Sequence, residues 1–269
     1  MLEVKNISKV FAKGTVNEHV AIKNMSLSLE DGEFVTVVGS NGAGKSTLFN
    51  AICGSFLVDS GHIFLDNEEI TYKSEHARAK MIGRVFQDPM RGTAPNMTIE
   101  ENLALAYTRS QKHSSPFSRA LTKKKAEFFR ENLARYNMGI EDRMKTKIGL
   151  LSGGQRQVVT LLMCTLSIPK LLLLDEHTAA LDPATAKRVM EITKQIVSEN
   201  NITTMMITHN LNQSLNTGSR TIMLDSGEII LDLSGKEREN MTIDDMIKMY
   251  SACLLYTSDA ADEPKGVDL

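Results

Sequence analysis

The segment GSNGAGKST at residues 39–47 constrains the fold of this chain more than any other part of the sequence. It follows a nearly all-apolar run, FVTVV, and precedes a segment that contains Leu48, Phe49 and Ile52. A glycine-rich turn between a buried strand and a helix lets backbone N–H groups point at phosphate oxygens beside the positive end of the helix dipole. We therefore predict a P-loop; a glycine-rich turn that precedes Lys-Ser by chance is the alternative.

The P-loop assigns roles to particular side chains. Lys45 is expected to reach the β- and γ-phosphates of ATP, and Ser46 is expected to supply one oxygen ligand to Mg²⁺. The residues predicted to bind the nucleotide through this loop are Ser40, Asn41, Gly42, Ala43, Gly44, Lys45, Ser46 and Thr47.

Two adjacent carboxylates follow a second buried strand. Residues 171–174 are four leucines, and Asp175, Glu176 and His177 come next. Ligands of open α/β sheets bind at the carboxyl ends of parallel strands, so Asp175 should lie beside the P-loop and hold Mg²⁺ through water. Glu176 is placed to polarise the water that attacks the γ-phosphate. Alternatively, either acid is a helix N-cap or a salt-bridge partner.

His177 raises the further idea that Asp175, Glu176 and His177 bind a transition metal together. Consecutive residues at a strand end do not easily converge on one ion, because their side chains point in different directions. We therefore expect His177 to support the residues that contact the ligand without contacting the ligand itself.

The order of the predicted strands and helices favours an α/β fold. A helix after Lys45, a strand at 171–174, a helix from 183 to about 198 and a strand at 202–208 alternate in type, which is typical of parallel strands with right-handed crossovers. Earlier in the chain, Met25, Leu27 and Leu29 alternate with polar residues as in a half-buried strand, and Asp31-Gly32 then predicts a hairpin turn. We predict a P-loop NTPase core with a mixed β-sheet and an N-terminal antiparallel β subdomain.

An α-helical subdomain is predicted within this core, at about residues 88–168. Thr98 and Glu101 form a capping-box pattern, and Thr122 is predicted to begin a second helix. The segment SQKHSSP between them is predicted to be a solvated loop. The ATP-binding domain should span residues 1–252, whereas the polar, unpatterned residues 253–269 are predicted to be a disordered or foreign tail.

Composition excludes several classes of function. Lys and Arg total 31 against 33 Asp and Glu, so there is no cationic surplus for binding nucleic acid. Three widely spaced cysteines fit a reduced chain better than a disulfide framework or a zinc site. The start MLEVKNISKV has no secretory signal pattern, and the most apolar region falls short of the roughly 20 residues that a spanning helix needs.

The segment LSGGQ at residues 151–155, combined with the P-loop and LLLLDE in this order, resembles the ATP-binding subunits of ABC transporters. The resemblance runs from about residue 2 to residue 250. It implies a head-to-tail homodimer around two Mg-ATP molecules, in which the LSGGQ signature of one subunit closes on the ATP held by the P-loop of the other. The resemblance implies contacts across the interface for Ser152, Gly153, Gly154 and Gln155.

Other positions match the family one by one. Gln87 in VFQDP resembles the glutamine that contacts the metal and the attacking water, and His209 resembles the switch histidine that binds the γ-phosphate. Asp182 in AALDP resembles the loop that signals between subunits, although Asp182-Pro183 is also a favourable start for a helix. Phe11 lies where the family stacks an aromatic ring on adenine; a core phenylalanine is the alternative.

Differences between this sequence and typical family members indicate which type of transporter it belongs to. His177 stands where most relatives carry proline, which bears on the rigidity of the local loop. KTKIGLLSGGQ lacks the charged segment that exporters usually place before the signature, and no fused membrane domain is recognisable. The resemblance therefore implies a peripheral ATPase at the cytoplasmic face of the membrane, part of a bacterial importer for a small solute such as an amino acid.

The partners implied are a transmembrane permease and an extracytoplasmic substrate-binding protein. DEHTAALDP and RGTAPNMTIEENL most resemble ATPases that are paired with a tryptophan/tyrosine-type binding protein. The segment around residues 90–94 is expected to receive the cytoplasmic helix of the permease. The alternatives are an exporter or lipoprotein-release ATPase, a soluble ABC-type ATPase of a non-transport machine, and a catalytically dead module. The intact Lys45, Glu176 and His209 disfavour the last.

Overall fold

The strands of this computed structural model, which describes residues 1–110 and 121–249, form two sheets. The antiparallel sheet has the order β2-β1-β4-β5 and contains β1 (Leu2–Phe11), β2 (His19–Leu29), β4 (Ser60–Leu65) and β5 (Glu68–Glu69). The second sheet has the order β10-β9-β3-β8-β7-β6 and contains β3 (Phe34–Gly39), β6 (Ile82–Val85), β7 (Leu171–Asp175), β8 (Thr204–Ile207), β9 (Arg220–Asp225) and β10 (Glu228–Ser234). Its strands are parallel except β10, which pairs antiparallel with β9. The predicted fold class is confirmed.

Helices connect the strands, and those that begin at Lys45, Ile99, Lys123 and Pro183 lie where the sequence patterns predict them. The helices are α1 (Lys45–Cys53), α2 (Glu75–Arg78), α3 (Ile99–Ser110), α4 (Lys123–Ala134), α5 (Gly153–Thr165), α6 (Pro183–Asn200), α7 (Leu211–Leu215) and α8 (Gly235–Glu239), and residues 243–249 are also helical. Within the described ranges 1–110 and 121–249, no helix combines the length and the apolar character needed to span a bilayer.

The predicted hairpin at Asp31-Gly32 is wrong. The turn forms, because the Glu33 N–H donates to the Glu30 carbonyl and Gly32 adopts a positive φ of 76°. However, β2 pairs with β1, whereas β3 pairs with β8 and β9 in the other sheet. The turn residues satisfy only the local backbone, so they carry the chain from one sheet to the other. The antiparallel strands are therefore a separate sheet rather than one end of the central sheet.

Helices α3 and α4 begin at the predicted caps. The Thr98 N–H donates to Glu101 Oε2 at 2.7 Å and the Glu101 N–H to Thr98 Oγ1 at 3.3 Å, which completes a capping box. Thr122 Oγ1 accepts from the Lys125 N–H. The buried faces of α3, α4, α5 and α6 share one apolar core with β7 and β8. The boundaries 88–168 for this helical subdomain and 1–252 for the whole domain stay predictions. Ser110, the first residue of the predicted loop SQKHSSP, still belongs to α3, and the rest of that segment and residues 253–269 fall outside the described residues.

A buried arginine fixes the carboxyl end of helix α1. Arg78 is 1% exposed, and its guanidinium donates to the carbonyls of Ala51 and Ile52 at 2.7 and 2.9 Å. It also donates to the carbonyls of Thr71 and Lys73. These bonds satisfy carbonyls that a helix end leaves unpaired, and they place a positive charge at the negative end of the helix dipole. The helix that carries the P-loop is thus held at its far end by the segment around α2.

Candidate nucleotide-binding and catalytic site

The P-loop lies between the end of β3 and the first turn of α1. Gly39, Gly42 and Gly44 adopt positive φ values of 147°, 85° and 98°. A Cβ on Gly39 would lie 2.2 Å from the Leu224 carbonyl oxygen, so this approach of two backbones requires glycine. Lys45 Nζ donates to the carbonyls of Gly39 and Ser40 at 2.9 and 2.7 Å. Of the eight predicted residues, Ser40 to Gly44 therefore form the curled loop and Lys45 to Thr47 the first turn of α1, with the lysine ammonium folded back onto the start of the loop.

Two carboxylates act on that ammonium. Burial lowers the pKa of Lys45, and the negative charges of Glu176 and Asp175 oppose this shift. Asp175 ends β7, and one of its carboxylate oxygens lies 3.0 Å from the Arg84 guanidinium of the neighbouring strand β6. The structure thus brings both predicted acids to the P-loop, and it also makes Asp175 a salt-bridge partner, which was the alternative role considered for it.

Glu176 and His209 meet directly. Glu176 Oε1 lies 2.5 Å from His209 Nε2, with the Glu176 side chain 12% exposed and the His209 side chain 46% exposed. The Glu176 backbone is left-handed, with φ 47°, and its N–H donates to the Ile207 carbonyl at 3.1 Å. Both side chains line a cleft of about 850 Å³ between α6 and α7. A carboxylate and an imidazole in contact at a solvent-accessible position can hold and transfer a proton.

Gln87 and Phe11, the two other residues predicted to contact the nucleotide or its metal ion, lie on different elements of the fold. Gln87 is exposed two residues beyond β6, and the next residue, Asp88, caps a short 3-10 helix at Pro89–Gly92. Phe11 is 38% exposed at the end of β1, where its ring packs edge-on against Phe56 at 5.2 Å between centroids. Phe11 is therefore a partly exposed aromatic at the end of a strand and not a buried core residue.

The LSGGQ turn forms the start of α5. Ser152 Oγ accepts from the Gln155 N–H, and the Gln155 side chain accepts from the Ser152 N–H, which makes a second capping box. Ser152 and Gly153 are exposed, while Gly154 is buried against α6, where an added Cβ would lie 2.1 Å from Thr185 Cγ2. The turn thus presents its serine to the outside of its own subunit.

Asp182 begins α6. Its carboxylate accepts from the Thr185 N–H at 3.1 Å, and hydrogen bonds from the side chain and the backbone of Thr185 lower the pKa of Asp182. The residue is exposed and is followed by Pro183 in the first turn, so the predicted N-cap and N1 pair is present.

Known proteins are similar to this chain over most of its length. The family model described as ABC transporter matches residues 22–179. The chain is 44% identical over 250 residues to a tyrosine transport ATP-binding protein of Clostridioides difficile, covering 93% of this chain and 98% of that protein. The chain belongs to the ABC transporter family. The MetN methionine import ATP-binding protein of Mannheimia succiniciproducens is 33% identical, with 86% of this chain and 64% of that protein covered.

Solved ABC cassettes have the same fold. A dimeric post-hydrolysis cassette, MJ0796 bound to ADP and phosphate, superposes with a TM-score of 0.75 at 28% identity and covers 87% of this chain and 98% of that one. A nucleotide-free cassette superposes with a TM-score of 0.75 at 25% identity over 93% of this chain and 98% of that one. The predictions of an importer-type ATP-binding subunit and of ATPase activity are confirmed.

Arg84 is a residue of this ABC subunit that sequence analysis missed. Besides Asp175, its guanidinium contacts Asn50 Oδ1 of α1 at 2.7 Å and lies 4.7 Å from the Phe86 ring centroid. It therefore joins the strand that carries Asp175 to the P-loop helix. The only signal in the sequence is a lone arginine in the otherwise apolar strand IGRV, and its partner lies 91 residues away.

His177 does not join its neighbours around a metal ion. Its side chain is 2% exposed, and its Nε2 lies 3.1 Å from Thr193 Oγ1 on α6. Asp175, Glu176 and His177 therefore turn to three different partners, and the described residues contain no group of three or more metal-ligating His, Cys, Asp or Glu side chains. Burial lowers the pKa of His177 from 6.5 to about 4.

This buried imidazole should make the ABC subunit sensitive to acid. As pH falls below 6.5, the unfolded chain binds a proton at His177 while the folded chain stays neutral there until about pH 4. Stability is therefore unaffected above pH 6.5 and falls between pH 6.5 and 4, by up to about 3 kcal/mol. Between pH 7 and 4.5, the free energy of unfolding measured in urea should fall by roughly 2.5 kcal/mol more for the wild type than for His177→Gln, which cannot titrate at this position.

The control for this experiment is His62→Gln, because His62 is an exposed histidine that pairs with Glu69. It should retain the acid sensitivity of the wild type. If the wild type and His177→Gln lost the same free energy of unfolding, the buried neutral imidazole would not be the source of the effect.

Proposed function

We propose that this ABC subunit hydrolyses Mg-ATP at the edge of the sheet formed by the P-loop, Asp175, Glu176 and His209, and that it thereby drives uptake of an amino acid through a separate membrane permease. The observation that carries the proposal is the contact between Glu176 and His209, together with the effect of the Glu176 charge on the Lys45 ammonium. A base, an imidazole and a phosphate-binding cation in one place are the groups that γ-phosphate hydrolysis needs.

The nucleotide would be held mainly by the backbone of the P-loop. Residues 40–47 supply N–H groups and the amino end of α1, while Lys45 binds the terminal phosphates. Phe11, partly exposed at the end of β1, is proposed to stack on the adenine.

The oxygen ligands present suit Mg²⁺. The Ser46 hydroxyl lies in the first turn of α1, the charge of the Asp175 carboxylate acts on the pKa of Lys45, and the exposed Gln87 amide lies in the loop after β6. Hydroxyl, carboxylate and amide oxygens are the hard donors that Mg²⁺ prefers. When bound, the ion would offset negative charge on the phosphates.

Glu176 is proposed to accept the proton of the attacking water, and His209 to bind the γ-phosphate. A general base of this kind contributes about 10²- to 10⁴-fold to a rate. The contact between the two side chains orients the carboxylate before the reaction, and the left-handed backbone of Glu176 sets its direction.

Dimerisation is proposed to complete the site. Ser152 and Gly153 are exposed at the amino end of α5, so they can approach phosphate oxygens on a second copy of the chain. Gly154 and Gln155 shape the turn. Asp182 is exposed, and it is proposed to contact the partner subunit. The dimeric state of the MJ0796 cassette supports this arrangement. ATP binding would close such a dimer, and hydrolysis would reopen it.

The solute is proposed to be an aromatic amino acid such as tyrosine. The support is the 44% identity to a tyrosine transport ATP-binding protein, which extends over nearly the whole of both chains. The subunit would work at the cytoplasmic face of the membrane, with residues 90–94 receiving a helix of the permease. An extracytoplasmic binding protein would deliver the solute.

Replacing the proposed base gives the first test. Glu176→Gln should lower steady-state ATP hydrolysis at least about 100-fold, because the amide cannot accept the proton. It should still bind ATP and should accumulate an ATP-bound dimer, measured by size-exclusion chromatography. Glu191→Gln, which removes an exposed acid of α6, is the matched control and should hydrolyse ATP normally. Unchanged phosphate release by Glu176→Gln would remove Glu176 from this role.

Mixed subunits test the head-to-tail dimer. Lys45→Ala removes the phosphate-binding cation, and Ser152→Arg blocks the signature. A heterodimer of the two variants should keep at most one complete site, since both substitutions act on the same composite site and leave the other intact. Phosphate release should therefore reappear when the two inactive variants are mixed, at no more than about half of the wild-type rate. A mixture as active as wild type would contradict the arrangement.

Uptake measurements in a strain that lacks this gene test which solute is transported. Uptake of labelled tyrosine should be lost and should return with the wild-type chain but not with Lys45→Ala. The tagged wild-type chain should also co-purify with a membrane protein. Normal tyrosine uptake together with loss of another solute would replace the proposed cargo, and an exclusively soluble partner would favour a non-transport machine.

A further inference from the structure

We propose that His177 and Thr193 are positioning residues, and that through their hydrogen bond helix α6 holds the Glu176 carboxylate in its working direction. The inference rests on the role of Glu176 proposed above. It concerns two buried side chains that contact neither the P-loop nor His209 through any hydrogen bond that the structure shows, and it assigns them an effect on the chemical step.

The direction of the hydrogen bond follows from counting protons. Thr193 Oγ1 donates its single hydrogen to the Val189 carbonyl of α6 at 2.8 Å. The contact of 3.1 Å between Thr193 Oγ1 and His177 Nε2 must then use a hydrogen on the imidazole. His177 therefore carries its proton on Nε2 and donates to Thr193. Both side chains are almost completely buried, at 2% and 0% exposure, so the bond has no competition from bulk water.

Glu176 needs support from its neighbours because its backbone is strained. Its φ of 47° lies in the left-handed region, which side chains other than glycine rarely occupy without surrounding contacts that hold them there. On one side, Asp175 is fixed by Arg84. On the other side, the next residue is His177, whose ring is tied to α6. The strained residue thus lies between two anchored neighbours.

The anchor itself is rigid. Thr185, Val189 and Thr193 follow one another at intervals of four residues and share a face of α6. At the amino end of that face Gly154 of α5 packs so closely that an added Cβ would lie 2.1 Å from Thr185 Cγ2 and 3.9 Å from Val189 Cγ2. The face of α6 that holds His177 is therefore itself held by the signature helix.

Loss of the hydrogen bond would let the peptide that follows Glu176 relax and would misdirect the carboxylate, without removing any group that binds ATP. Small misplacements of a catalytic group lower the rate of the chemical step much more than they lower affinity. This separates a positioning role from a merely structural one.

The test uses isosteric substitution at Thr193. Thr193→Val keeps the shape and removes the hydroxyl, so kcat per nucleotide-binding site should fall about tenfold while KM for ATP stays within about twofold. Thr193→Ser restores the hydroxyl and should return kcat to within about twofold of wild type. Counting sites by bound nucleotide removes the effect of any unfolded fraction. Unchanged kcat in Thr193→Val would overturn the proposal.

The matched control is Thr165→Val. Thr165 is also a buried helical threonine whose hydroxyl donates to a carbonyl four residues earlier, Leu161 at 2.9 Å, but it lies at the far end of α5. It should lose comparable stability and retain kcat. An equal loss of kcat in Thr165→Val would show that Thr193 acts through general destabilisation, and the proposal would be wrong.

A double variant tests whether Thr193 acts through Glu176. In Glu176→Gln, adding Thr193→Val should leave ATP-dependent dimerisation unchanged within about twofold, because the positioned carboxylate is already gone. A further loss there would place Thr193 in nucleotide binding and contradict the inference. If Glu176→Gln alone hydrolysed ATP normally, the proposed role of Glu176 would fail, which is distinguishable from failure of the positioning role.

Discussion

The parallel pairing of β8 between β3 and β7 is the constraint on which the site depends. Ile207 of β8 is in register with Val37 of β3 and with Asp175 of β7, so β7 and β8 end at the same level of the sheet and β3 ends two residues beyond it. The chain then leaves β3 into the P-loop, β7 into Glu176 and β8 into His209 within two residues of that level. A slip of one residue would move a side chain by about 3.3 Å along the strand and reverse its face, which would separate Glu176 from His209.

Helix α1, which follows the P-loop, packs against both sheets and so fixes their relative position. Leu48, Phe49 and Ile52 of α1 are completely buried in a core that includes residues of both sheets. Arg78 binds the carboxyl end of α1, and Arg84 ties its middle to the strand beside Asp175. Since the amino end of this helix is the phosphate-binding end, its position is fixed by contacts with three separate parts of the chain.

Local features were predictable from the sequence, whereas pairings over long distances were not. The P-loop and the caps of α3, α4 and α6 depend on a few consecutive residues, so the pattern specifies them fully. The Asp31-Gly32 turn shows the limit, because turn chemistry does not determine which strand the chain pairs with next. Arg84 with Asp175, and His177 with Thr193, depend on sheet register and helix phase. The meaning of LSGGQ came from resemblance to a family, because spacing alone indicates only a capped helix.

The two carboxylates of the site have different partners, and this determines how ATP can act on them. Asp175 pairs with the partly buried Arg84 on the neighbouring strand, so its charge is offset by a group fixed in the scaffold. Glu176 pairs with His209, which is nearly half exposed and follows the end of β8. In the proposed reaction a γ-phosphate competes with Glu176 for this imidazole. Because the phosphate carries more negative charge, it would draw His209 away and leave Glu176 free to bind water, so that the base becomes available only when its substrate is in place.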